Sequence, residues 1–141
     1  MITHGHEDHY GGLPFILPKL NRKIPLYASR LTSALIKEKL DEYNLKAKIN
    51  LIDSRQKVNL GVFNLDFVYL THSIPDTFGV AIKTQMGTVL HTSDFKFDWT
   101  PVMGSISDVG KIASLGNQGI TCLVIDCLRS EKPGYLSLIH I

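Results

Sequence analysis

The sequence predicts an α/β protein, a mixed sheet covered by helices, and three stretches carry that prediction. Residues Arg30–Tyr43 place Leu31, Leu35, Ile36, Leu40 and Tyr43 along one side of a helix. Residues Val62–Leu70 alternate, with Phe63, Leu65, Phe67 and Tyr69 facing one way and Val62, Asn64, Asp66 and Val68 the other. Gly79–Thr84 and Thr88–His91 flank Gln85-Met86-Gly87 as the arms of a hairpin. Helices between strands favour parallel pairing and a hairpin is antiparallel, so the sheet should be mixed.

The remaining elements follow in chain order. Tyr10–Leu20 reads as a short apolar helix, opened by Gly11-Gly12 and ended near Pro18. Ile24–Ala28 reads as a short strand, and Ser29 is placed to cap the helix after it. Asn44 suits the left-handed position that ends that helix. Lys48–Ile52 is a further strand, and Val58–Asn59 leads through Gly61 into the long strand. Asp108–Leu115 is expected to be helical, and Thr121–Asp126 an apolar, buried strand. There is no internal repeat or low-complexity linker.

Length and composition narrow the class. The 141 residues, 44% apolar and 20% charged, fit one domain of the common size, about 100–150 residues. No apolar run approaches the roughly 18 residues of a membrane span, and the N-terminus lacks a secretory layout. Cys122 and Cys127 are too few for a disulfide scaffold and are expected to be buried, reduced and structural, which points to the cytoplasm. Between Lys19 and Lys57 there are ten Lys/Arg against four Asp/Glu, whereas the rest of the chain has five against nine. A basic segment of this kind suits either a nucleic-acid backbone or a solvated helix face with mixed charges.

The acidic remainder holds the chemistry. His4-Gly5-His6-Glu7-Asp8-His9 puts four candidate ligands, His4, His6, Asp8 and His9, inside six residues. In an extended segment His4 and His6 project to the same side and reach one ion, while Asp8 and His9 lie where the chain turns toward a helix and can meet a second. Gly5 permits a tight turn, and Gly11-Gly12 let the backbone pass close to a substrate. His72 follows the long strand, and Asp94 follows the strand Thr88–His91 within His91-Thr92-Ser93-Asp94. Taken singly, His72 reads as a turn or core histidine and Asp94 as a cap. Together with the cluster they read as ligands on loops held by strands. Imidazole and carboxylate suit zinc, manganese or iron better than calcium.

Three segments take the reading further: Thr3–His9 (THGHEDH) with Gly11-Gly12-Leu13-Pro14, His72–Asp76 (HSIPD) with Phe78-Gly79, and Asp94–Asp98 (DFKFD) with Thr100-Pro101. With these the chain resembles the metallo-β-lactamase superfamily and, more narrowly, ribonuclease J, of the branch that inserts a β-CASP domain. The resemblance implies an αββα sandwich, here partial: residues 1–134 would form it without its N-terminal strands and without the β-CASP domain. Residues 135–141, after the Pro133-Gly134 break, would be a tail of uncertain origin outside that domain.

The resemblance also implies two divalent metal ions, zinc first, with manganese or magnesium as alternatives. One would be held by His4, His6, His72 and Asp94, the other by Asp8, His9 and a bridging Asp94, together with a histidine from beyond this chain; His140 has no matching context. Asp8 and Asp94 would be the catalytic carboxylates, Asp8 orienting a metal-activated hydroxide. The implied activity is RNA processing and decay by 5′-to-3′ exonuclease and endonuclease cleavage, with RNA as substrate and a homo-oligomer as the full-length form. Ser73 is a candidate contact to a phosphate oxygen, or else a turn-stabilising hydroxyl.

Several neighbouring residues have other expected roles. Glu7 should be solvated or lie behind the ligands, Asp76 should bond its own loop or a ligand imidazole, and His91 should be packed and hydrogen-bonded. The chain departs from the family at Asp126-Cys127-Leu128-Arg129, where Asp-Ser-Thr-Asn is frequent, and at Ser93 and Trp99, where Gly and Gln are common. Competing functions are another hydrolase of the superfamily, acting on DNA, thioesters or lactones, and a non-catalytic metal- or RNA-binding module. Alone, the 141-residue chain is expected to be inactive and to aggregate.

Overall fold

The computed structural model describes residues 1–20, 24–128 and 130–134. His140 and the expected tail, residues 135–141, lie outside the described residues, as does Arg129. In chain order the elements are α1 (Glu7–Tyr10), α2 (Leu13–Ile16), a 3-10 turn (Leu17–Lys19), β1 (Leu26–Ala28), α3 (Arg30–Glu42), β2 (Ile49–Leu51), β3 (Lys57–Leu60), β4 (Phe63–Leu70), β5 (Thr77–Thr84), β6 (Gly87–His91), α4 (Val109–Gln118) and β7 (Cys122–Val124).

The strands form two sheets. β1 and β2 pair in parallel, and the second sheet runs β3-β4-β5-β6-β7. Its first three pairings are antiparallel and β6–β7 is parallel, so the sheet is mixed as expected. The alternation in β4 explains how it serves two layers. Leu65, Phe67 and Tyr69 meet Ile52, Phe78, Val80 and Tyr27 between the sheets. Val68 and Leu70 point the other way, onto Ala81, Leu90 and the α4 residues Ile112 and Leu115. On the far side of the small sheet, Ile36 and Leu40 of α3 pack on Leu26 and Ala28. The layers therefore run helix, sheet, sheet, helix.

Local chemistry sets most boundaries. Ser29 caps α3, its Oγ accepting the Thr32 N–H at 3.3 Å, and Asn44 takes the left-handed turn after it at φ +54°. Asp108 caps α4 by accepting the Lys111 N–H at 2.9 Å. The single helix expected over Tyr10–Leu20 is instead three short pieces that begin earlier, at Glu7. Gly11 and Gly12 favour the helix weakly, and Pro14 and Pro18 each lack an N–H for the ladder, so no one helix can run through.

The strand near residue 121 needs a second correction. β7 spans only Cys122–Val124 and is exposed throughout, and Cys122 and Cys127 are exposed free thiols rather than buried ones. β7 is the end strand of its sheet, with β6 as its one strand partner among the described residues, so its apolar composition alone does not bury it.

One polar side chain sits in the α4 layer. Asp66 is buried, with Lys111 Nζ at 2.7 Å, Lys83 at 3.6 Å and Lys57 at 3.8 Å. Burial acts to raise its pKa, but the three ammonium groups outweigh it and hold the carboxyl below its ordinary value.

Phe67 is fully buried at the centre of the inter-sheet layer. In the full-length protein carrying this segment, Phe67→Ala should cost about 3–5 kcal/mol, read as a lower denaturant midpoint at constant slope. A loss below about 1 kcal/mol would show that this layer is not the core.

Candidate metal centre

The segment that carries the histidine cluster is strung between the two sheets. Ile2 donates its N–H to the Tyr27 carbonyl of β1 at 2.8 Å, and Phe78 of β5 donates to the Thr3 carbonyl at 3.0 Å. Gly5 then passes through a narrow gap. A Cβ there would lie 2.6 Å from Leu35 Cδ1 and 3.1 Å from Ile74 Cδ1, so these side-chain ends would have to shift for a larger residue, and Gly5 serves a close approach rather than the tight turn expected of it. At Glu7 the chain enters α1, whose single turn carries Asp8 and His9.

The other two ligand loops are tied to each other. Thr71, just past β4, accepts the Lys96 N–H at 2.8 Å through its carbonyl and donates its Oγ1–H to the Lys96 carbonyl at 2.8 Å. Its own N–H donates to Ser107 Oγ at 2.9 Å. His72 follows Thr71, and Asp94 lies two residues before Lys96, so one antiparallel bridge sets both.

These three segments converge on the Asp94 carboxylate. Its Oδ2 lies 3.3 Å from His9 Nε2 and 3.9 Å from both His4 Nε2 and His72 Nε2. His72 Nε2 is 3.1 Å from His6 Nδ1. Two overlapping groups have all their donor atoms within 4.8 Å of one another, His4–His6–His72 and His4–His9–Asp94. Donors about 2.0–2.1 Å from a tetrahedral ion are about 3.3–3.5 Å apart, so the spacing approaches that of a loaded site. Asp8 is less drawn in: its carboxylate is 79% exposed and 3.6 Å from His9 Nε2.

The protonation states favour a cation. His4 is fully buried, and its Nε2 has no hydrogen-bond partner among the described residues. Burial first, and then the neighbouring His9, His72 and His6, push its pKa down to about 3, against a smaller opposing pull from Asp8. His72 is lowered for the same leading reason, burial, with His6 adding to it and Asp94 opposing. Neutral His4 and His72 each keep one ring nitrogen with a free lone pair beside a carboxylate, an arrangement that a divalent ion would satisfy.

The secondary candidates fall outside this convergence. Ser73 is exposed, with its Oγ 3.4 Å from His6 Nε2, against a ring of the cluster. Glu7 forms an ion pair with Lys39 at 2.8 Å. His91 accepts the Ser93 N–H at Nδ1, 3.0 Å away. Asp76 takes a positive-φ turn position, and among the described residues no hydrogen bond joins it to a ligand imidazole. Asp98 caps its own turn through Thr100 N–H at 3.0 Å and pairs with Lys96 at 3.2 Å. Part of the basic surplus between Lys19 and Lys57 is also neutralised, since Lys39 meets Glu7 and Glu42, Arg55 meets Asp53, and Lys57 meets Asp66.

Two hydroxyls emerge that the motif reading gave no role. Thr3 Oγ1 and Ser93 Oγ lie 3.1 and 3.2 Å from His4 Nδ1, on the side of the ring away from Asp94. The one hint in the sequence was Ser93 standing where glycine is common.

Comparison with known proteins agrees with this geometry. Residues 1–139 match the family model described as "Beta-lactamase superfamily domain". Ribonuclease J of Thermus thermophilus is 45% identical over 142 aligned residues, which cover 96% of this chain and 25% of that protein. Ribonuclease J2 of Bacillus subtilis is 40% identical over 136, covering 95% and 24%. The chain thus spans about a quarter of the length of these curated relatives, and the resemblance carried by THGHEDH, HSIPD and DFKFD is borne out. Among solved structures, the metallo-beta-lactamase fold protein YhfI from Bacillus subtilis matches with a TM-score of 0.52 and 22% identity, over 68% of this chain and 40% of that one. At that identity the likeness speaks for the fold alone, and the helix–sheet–sheet–helix layering is the same reading. Since the family model runs over all but the last two residues, the chain belongs to the beta-lactamase superfamily.

Proposed function

We propose that this chain is the metal-holding part of a ribonuclease J-like, metal-dependent RNA phosphodiesterase. The observation that carries the reading is the meeting of three imidazoles, His4, His9 and His72, at the Asp94 carboxylate at 3.3–3.9 Å, with His6 3.1 Å from His72. The choice of RNA over other substrates is supported by the relatives named ribonuclease J. RNA processing in the cytoplasm, 5′-to-3′ exonuclease and endonuclease cleavage, and a homo-oligomeric full-length form belong to the same proposal.

We assign His4, His6, His72 and Asp94 to one divalent ion and Asp8, His9 and Asp94 to a second. Zinc is favoured by three-imidazole ligation with a carboxylate, and manganese or magnesium are the alternatives. Bound ions of this kind supply an activated water and neutralise charge on phosphoryl oxygens. The protein's own part is geometric. The buried His4 and half-buried His72 stay neutral, so each ring keeps one nitrogen with a free lone pair for an ion, and Asp94 would serve both ligand groups. Asp8, exposed beside His9, is placed to take a hydrogen bond from the attacking water. Ser73, beside His6 at the exposed edge, is placed to meet a phosphate oxygen.

A turnover panel of RNA, DNA and a thioester with the full-length protein tests this reading. RNA cleavage abolished by chelation and restored by zinc or manganese is expected, and turnover of the thioester or DNA with RNA untouched would overturn it. Loss of a residue that merely orients a ligand costs about 10–100-fold in metal affinity or activity. Asp94→Ala, which removes a shared ligand, should therefore lower RNA turnover by at least about a hundredfold. Unchanged turnover would remove Asp94 from the site.

The metal-free protein should also show a distinct pH dependence. Between about 3, the folded His4 value, and 6.5, the ordinary one, the unfolded chain binds a proton that the folded chain does not. Stability should therefore rise with pH through that window and level off above 6.5. His72 acts in the same direction below 6.5, and Asp66 adds its own loss only below 3.8. Urea midpoints across the range check this, and a midpoint that falls as pH rises toward 6.5 would contradict it.

A further inference from the structure

Ser93 is one of three non-glycine residues with positive φ, at +61°, among the described residues, and it is 4% exposed. A side chain in the left-handed region is disfavoured, and glycine would adopt the same backbone without that cost. The backbone around it is held independently of the side chain: its N–H donates to His91 Nδ1 at 3.0 Å and its carbonyl accepts from Thr92 Oγ1 at 2.9 Å. What only the side chain supplies is Oγ, 3.2 Å from His4 Nδ1. On the same ring nitrogen, Thr3 Oγ1 lies at 3.1 Å.

We propose that Ser93 is a positioning residue for the metal centre, its hydroxyl acting with that of Thr3 as a two-point clamp on His4. A proton on Nδ1 donates to these oxygens, which fixes the tautomer and leaves the Nε2 lone pair directed at Asp94. The clamp draws its two halves from opposite ends of the site. Thr3 belongs to the segment that hangs between the sheets, and Ser93 to the loop that delivers Asp94. The orientation of the most buried imidazole is thereby coupled to the placement of the carboxylate beside it. This inference rests on the metal-centre reading but does not need RNA to be the substrate.

The test uses the full-length protein and Co²⁺ as a spectroscopic probe, with affinity measured by chelator competition and melting temperature measured on the metal-free form. Ser93→Gly keeps the backbone and deletes the hydroxyl, so it should melt no lower than the parent yet bind Co²⁺ on the order of tenfold more weakly. Ser93→Ala should lose similar affinity and also melt lower, because it keeps the positive φ without the bond. Thr3→Ser, which retains a hydroxyl, should hold the affinity that Thr3→Val loses. Ser93→Gly binding Co²⁺ as tightly as the parent would overturn the proposal. So would a fall in its melting temperature with affinity unchanged, since that is the mark of a purely structural serine. Failure of the parent itself to bind Co²⁺ would overturn the metal-centre reading beneath it, whereas failure to cut RNA would leave the clamp intact.

Discussion

Electron-rich atoms crowded together, the innermost of them shielded from water, are the constraint around which this molecule is arranged. The His4, His72 and His9 Nε2 atoms all face Asp94 Oδ2 within 4 Å, and His6 Nδ1 faces His72. In bulk solvent such groups would separate or take up protons. Burial denies His4 and His72 that second option, and the fold denies the first. The divalent ions of the proposed function would satisfy them together. On that proposal folding and metal binding would be linked, since a scaffold that holds these side chains together would store the requirement for a cation in its own packing.

The scaffold does this with few connections. The histidine segment is fastened to β1 through Ile2 and to β5 through Thr3, so it spans the seam between the sheets. The inter-sheet layer of Phe67, Phe78 and Val80 keeps that seam at a fixed width. β4 contributes on both faces, its odd-numbered residues to this layer and its even-numbered ones to the α4 layer, and it ends at the loop bearing His72. A candidate ligand is thereby delivered from a strand packed on both faces.

What the sequence made legible was whatever is local. The candidate ligands of THGHEDH lie within six residues, that of HSIPD follows a strand with a plain period-two pattern, and that of DFKFD follows the second arm of a hairpin, so site and strands could be read together. The helix Arg30–Glu42 was legible because its cap and its apolar stripe agree. Features that depend on contacts between distant segments were not. Gly5 looked like a turn residue, and only the approach of Leu35 and Ile74 shows that it is a spacing residue. Cys122 and Cys127 looked buried because their neighbours are apolar, whereas burial depends on what lies across from them. Ser93 is separated from His4 by 89 positions, and no pattern in a single chain announces their contact. Alternation placed Asp66 on a face with Asn64 and Val68, and only the three lysines that reach it from β3, β5 and α4 account for a buried carboxylate there.

The bridge between Thr71 and Lys96 bears on how this edge of the protein fluctuates. Because the two residues exchange backbone and hydroxyl bonds, the loops on either side cannot drift as independent bodies. Any excursion that parts His72 from Asp94 must first rupture that pairing, which makes local opening here a cooperative event. The Lys96 amide, closed onto the Thr71 carbonyl, would then exchange with solvent deuterium only on such openings, and its rate would clock how often the two loops part.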